Sequence, residues 1–260
     1  EEITIDAPNP VLCNASSCTT ISASFIDIKD TTSYTVASIP YAPLAPLGNA
    51  GTSLCNIDDA YSAATPLPFD FSFYGSCFDA FQLSTNTYLT FVTTNPNCQP
   101  GTSPWPFTAA IPALGTAQPE FLNSIFFPMS DTNPAVATPA ATPIDVRYIV
   151  DGVAPCRKLI VNIKNMPLFS CGTAQGLQES QLVLYESTNI IDIHVKRRSV
   201  CAGWNSGSGV IGIHGQVAAE GLAAPGRNTG TWIANDESWR FTPSGPSLTS
   251  FRWLQNGNPI

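Results

Sequence analysis

QLVLYESTNIIDIHVK, Gln181–Lys196, decides the fold class. Its second half alternates strictly, with Ile191, Ile193 and Val195 on one side and Asp192, His194 and Lys196 on the other. That period of two belongs to a strand with one buried and one wetted face. Its first half, Gln181–Tyr185, is aliphatic and aromatic, and Ser187-Thr188-Asn189 between the halves is turn chemistry. The stretch therefore predicts an antiparallel hairpin. Upstream, Leu159, Val161 and Ile163 alternate with Lys158, Ile160, Asn162 and Lys164, and Ile144–Val150 is a further strand candidate. Downstream, Val210–Ile213 is another short apolar run. These strands follow one another with no helical pattern between them, so the expected class is all-β: an antiparallel β-sandwich with long Pro-rich loops, stapled by disulfides.

Composition agrees. Only 12% of the 260 residues are charged, against about 25% in an average soluble protein, while 23 Pro and 18 Gly suit short strands joined by ordered loops. No window approaches the roughly 18 apolar residues of a membrane-spanning helix. The net charge of −8 excludes nucleic acid as an expected partner, because that binding needs clustered Lys and Arg. The one basic run, Lys196-Arg197-Arg198, reads as the exposed end of a strand. Glu1-Glu2-Ile3 carries neither a basic n-region nor an apolar h-region, which predicts a mature chain or an excised piece.

Eight cysteines without a CxxC spacing fit structural disulfides in an oxidising compartment better than a metal or redox motif. Cys171 and Cys201 flank the central hairpin at opposite ends, so an antiparallel fold brings them together. Cys13 and Cys18 suit a local loop. At least three disulfides are expected.

Outward from the hairpin, Leu67–Gly75 (LPFDFSFYG) places Phe69, Phe71 and Phe73 on one face of a core strand. Phe81–Leu83 and Tyr88–Val92 flank Ser84-Thr85-Asn86-Thr87 as a second hairpin. Thr93–Pro119 reads as a Pro-rich loop holding Trp105, and Ala135–Pro143 as a low-complexity surface loop. The cluster Trp232, Trp239, Arg240 and Phe241 reads as a closing strand over the sandwich edge. Three parts are expected: residues 1–20, a linker or end strand of an upstream module; 21–243, the sandwich; and 244–260, the start of a following immunoglobulin- or PKD-like module.

LPFDFSFYG, LSTNTYLTF (Leu83–Phe91), FPMSDTNP (Phe127–Pro134), APCRKLIVN (Ala154–Asn162), QLVLYESTNIIDI (Gln181–Ile193), Trp204-Asn205, Val210–Ile213 and NTGTWIANDESWRFTP (Asn228–Pro243) occur in this order. Together they resemble a module of large gliding-motility adhesins exported by the type IX secretion route of Bacteroidota-type bacteria. The same order is similar to the extracellular nidogen-type domain. Asn86-Thr87 stands where those modules carry Asn-Gly, and the phrase after Phe127 has one acid, Asp131, where they carry two. The resemblance implies a non-catalytic, extracellular or cell-surface module used in attachment or gliding. Its partners would be neighbouring modules of one long chain and surface or polysaccharide ligands, without membrane insertion. The alternative is a carbohydrate-binding module of a secreted polysaccharide-degrading protein, which Trp105 and Trp204 on one face would support. A third reading is a secreted enzyme.

Most catalytic patterns are not found in the sequence; acids are sparse, and a glycosidase pair of carboxylates is not testable from sequence alone. His194 and His214 are the only histidines, and both read as ordinary strand residues. Ser206-Gly207-Ser208-Gly209 lacks the strand–turn–helix setting of a nucleophile elbow. No HExxH motif or phosphate-binding loop is present. A structural calcium is the one inorganic cofactor expected, with Asp58, Asp59, Asp131 and Asn133 offering hard oxygen ligands. Trp105 and Trp204 are the expected binding-loop residues.

Overall fold

The computed structural model describes residues 4–6, 22–45, 51–255 and 258–259. The expected Cys13–Cys18 pair lies outside the described residues. Thr4–Asp6 (β1) and Ser22–Ser24 (β2) form a small antiparallel pair. The sandwich follows: Tyr34–Ile39 (β3), Thr52–Ser53 (β4), Thr65–Phe73 (β5), Ser76–Ser84 (β6), Tyr88–Thr90 (β7), Ser124–Met129 (β8), Asp145–Asp151 (β9), Lys158–Met166 (β10), Gln178–Tyr185 (β11), Ile191–Arg198 (β12), Ser208–His214 (β13), Gly221–Thr231 (β14) and Ala234–Pro243 (β15). Leu254–Gln255 pairs with Asn258–Pro259. The only helices among the described residues are the single turn Leu114–Ala117 and two 3-10 turns.

Seven strands form one sheet in the order β3-β15-β12-β11-β10-β9-β4, and six form the other in the order β14-β13-β8-β7-β6-β5. The central hairpin is as expected, with Leu182 opposite Ile193 and Leu184 opposite Ile191. One face of the large sheet contributes Leu159, Val161, Ile163, Leu182, Leu184, Ile193 and Val195 to the core; Phe69, Phe71, Phe73, Phe81, Leu83, Ile125 and Phe127 meet them from the other. Successive side chains of a strand point to opposite faces, which lets both sheets turn an apolar face inward.

Three local expectations are corrected. Asp192 and His194 are not wetted: both are buried, because the segment before residue 46 lies over that face. Leu44 N donates to Gln181 Oε1 (2.8 Å), Gln181 Nε2 donates to Ala45 O (2.9 Å), and the Tyr41 ring meets His194 edge-on. Asp192 is satisfied there by Arg240 Nε (2.7 Å), Arg240 Nη2 (2.6 Å) and Tyr185 Oη (2.9 Å). Second, Arg198 is not an exposed strand end; only 2% of it is accessible. Third, β15 does not close an edge but lies inside the large sheet, between β12 and β3.

The Pro-rich stretch after Thr93 is also more than a loop. Ile111, Leu114 and Phe121 pack with Tyr61, Tyr88, Phe126, Met129 and Val210 in a second apolar cluster on the outer face of the six-stranded sheet. Both faces of β7 and β8 are therefore buried, which explains why neither strand alternates.

At the Tyr34 end of the strands the chain closes a clasp. Ser244 N donates to Ser33 O, Asp30 N to Pro246 O and Leu248 N to Ile28 O, each at 2.8 Å.

Candidate functional site

The opposite end gathers the turn after β6 and the segments following β8, β10 and β12. Each of these strands ends pointing the same way, so antiparallel pairing delivers Asn86, Asp131, Phe169 and Trp204 to one place. Two disulfides staple it. Cys171–Cys201 forms as expected, spanning 30 residues, and Cys55–Cys98 spans 43. Cys55–Cys98 was not legible in the sequence, since its partners belong to different loops. Cys77 and Cys156 are exposed and bonded to no described cysteine.

Asn86 organises the acids. Fully buried in its turn, it donates from Nδ2 to Asp59 Oδ1 (2.8 Å) and accepts at Oδ1 from Thr132 N (3.0 Å). Asn133 Nδ2 donates to Asp58 Oδ2 (2.9 Å), while Asp58 Oδ1 is buried without a partner. Asp131 Oδ2 accepts from Trp204 Nε1 (2.7 Å). Burial pushes the Asp131 carboxyl up to about 7; the Trp204 bond opposes this, and the Asp59 and Asp58 charges add to it. Burial and then the neighbouring Asp59 charge raise Asp58 to about 6. Burial also raises Asp59, against the Asn86 bond. No Lys, Arg or His among the described residues forms an ion pair with any of the three.

The four residues expected to hold calcium thus come to one end of the fold, but as a carboxylate–amide network. Amide nitrogens, not oxygens, face Asp58 and Asp59, and among the described residues no three acidic, His or Cys side chains converge to hold a metal ion. Calcium needs about six to eight oxygens around one point. The arrangement does not fit it.

The two tryptophans do meet. The Trp105 and Trp204 ring centroids are 5.4 Å apart, and Phe169 backs Trp204 at 4.9 Å. Trp204 is anchored by its bond to Asp131, and both rings are half-buried. The segment carrying Trp105 is tied down along its length. Asn95 N donates to Gln82 Oε1 (3.0 Å), Cys98 N to Tyr61 O (2.7 Å), and Thr102 N and Ser103 N both to Asp59 O (2.8 Å each).

Arg198, missed in the sequence, fixes the same end from below. Its Nη2 donates to Gly207 O (2.9 Å), its Nε to Ser130 Oγ (3.2 Å), its Nη1 to Trp232 O, and it stacks on the Trp232 ring at 4.0 Å. Burial pulls it down to about 9, and the nearby Arg227 charge adds to this. Gly209 is required beside it, since a Cβ there would stand 2.3 Å from Arg198 Nη2.

Both histidines make structural contacts, and His194 Nε2 is buried without a partner among the described residues. His194 Nδ1 lies 2.7 Å from Ser238 Oγ, its directly opposed cross-strand neighbour, but both residues are buried, so this serine is closed to a substrate. Burial lowers the His194 pKa. His214 Nε2 lies 3.1 Å from Gly115 N and 3.0 Å from Pro112 O, and its Nδ1 lies 3.3 Å from Gly215 O. A Cβ on Gly115 would collide with that ring at 2.3 Å.

A two-sheet sandwich with disulfide-stapled loops defines an extracellular-type β-module. Among the described residues no helix is long and apolar enough to cross a membrane. The chain belongs to the NIDO-related family, whose model matches residues 33–243. No curated protein and no solved structure gives a significant match to it.

Proposed function

We propose that this NIDO-related domain is a non-catalytic module of a large cell-surface adhesin, acting in surface attachment or gliding motility, with the stapled loop end as its presenting surface. One observation carries the reading. Both histidines lie away from that end, His214 at the far end of β13 and His194 within β12, each bonded to structure, while at the end itself Arg198 is spent on three acceptors and Asp131 on Trp204. What remains outward is a rigid set of loops on a sheet scaffold, which is how binding surfaces are commonly built. Neighbouring modules of the same long chain, and surface or polysaccharide ligands, are the partners of this role.

Retention of module-coated beads on glass and on polysaccharide films tests it, beside hydrolysis of a broad ester, peptide and glycoside panel. Retention without turnover is expected. Saturable turnover lost in His194→Ala or His214→Ala would overturn the proposal.

A further inference from the structure

Beside Trp105 the loop end opens into a cleft of about 460 Å³, lined among others by Asp59, Asn95, Thr102, Trp105 and Glu120. That is within the roughly 300–1,000 Å³ of small-ligand sites. Its charge selects against anions: two carboxyl side chains line it, and no Lys, Arg or His does. Its aromatic wall selects for a ligand with an apolar face. Trp105 packs on Trp204, which does not line the cleft, so the platform is held from outside the cleft. Its carboxyl and amide groups leave acceptors over. Asp59 Oδ1 takes Asn86, but Asp59 Oδ2 has no partner among the described residues; the Asn95 amide spends its nitrogen on Gln82 and Val92 and leaves its oxygen over. The walls are preorganised by Cys55–Cys98 and by the backbone bonds to Asp59 and Tyr61, so little ordering is lost on binding.

We propose that this cleft binds a neutral saccharide, its C–H face laid on Trp105 and its hydroxyls donating to Asp59, Glu120 and the Asn95 carbonyl. The negative face of the indole attracts the polarised C–H bonds of a sugar ring, and carboxylates accept from hydroxyls more strongly than neutral groups do. The proposal rests on the surface-module reading above and adds the ligand class and the site.

Calorimetric titration of the whole chain with cellohexaose, laminarihexaose and mannohexaose tests it, with a heparin hexasaccharide and hexalysine as charged probes. At least one neutral hexasaccharide should bind and both charged probes should not. Trp105→Ala should weaken that binding about tenfold or more. Glu120→Gln, at an exposed position where folding is not at stake, should weaken it about threefold to tenfold. Binding of hexalysine alone, or neutral binding unchanged in both variants, would overturn the cleft. Surface retention without saccharide binding would sink the cleft and leave the module reading standing. Saccharide cleavage would do the reverse.

Discussion

Replacing Asp131 by Asn should change how stability depends on pH. Asn keeps an oxygen for Trp204 Nε1 and removes the titrating group. In the folded chain the Asp131 carboxyl is raised from 3.8 to about 7, mainly by burial. Below pH 3.8 the folded and unfolded states both hold the proton, and no penalty exists. As pH rises through 3.8 the unfolded chain ionises while the folded one stays protonated, so stability falls with pH until about 7 and then levels. Moving a carboxyl that far corresponds to about 4 kcal/mol, and water at the loop end reduces this to about 2–4 kcal/mol. Urea titrations followed by tryptophan fluorescence at pH 4, 5, 6, 7 and 8 measure it. The native chain should lose about 2–4 kcal/mol relative to Asp131→Asn across that range. Asp58, raised to about 6, titrates in both proteins and largely cancels in the difference. Profiles that run parallel, or a native chain that gains stability with rising pH, would refute the account.

Leu182→Ala, at a fully buried position opposite Ile193, should cost about 2–5 kcal/mol in urea unfolding, with no change in the circular dichroism spectrum. Cys171→Ser with Cys201→Ser opens a loop of 30 residues and should cost about 3–4 kcal/mol, read under non-reducing conditions. Removing residues 137–141 should leave the melting temperature near that of the native chain. Extending the deletion through Pro143 should not, because Pro143 O accepts from buried Asn165 Nδ2 (2.9 Å). Adding 2 mM calcium after chelation should stabilise by less than about 0.4 kcal/mol, which corresponds to a dissociation constant above the concentration used.

The strands were legible because their information is local. Ile191, Ile193 and Val195 announce a face by spacing alone, and so do Phe69, Phe71 and Phe73. What covers a face is not local. Asp192 and His194 look like solvent residues until Leu44 and Ala45, some 150 residues earlier in the chain, bond to neighbouring Gln181 and cover that face. Arg198 looks like a strand end until three separate segments supply its acceptors. The candidate site shows the same division. Trp105, Trp204, Asp58, Asp59 and Asp131 could be picked out by residue type, and they do come to one end. That Asn86 would present its amide nitrogen to Asp59, and so build a network where a cage was expected, depends on a side-chain orientation no spacing encodes.

The clasp has a mechanical consequence. Tyr34 and Pro243 are opposed partners at one end of an antiparallel pair, with Asp30 and Pro246 joined just beyond them. Tension drawn through those two points would pull the strands apart like the halves of a zipper, breaking one rung at a time instead of shearing the ladder together. The load would be met first by the clasp and last by the rungs nearest Ile39. The stapled loops, at the far end of the same strands, would keep their shape while the base of the sandwich yields.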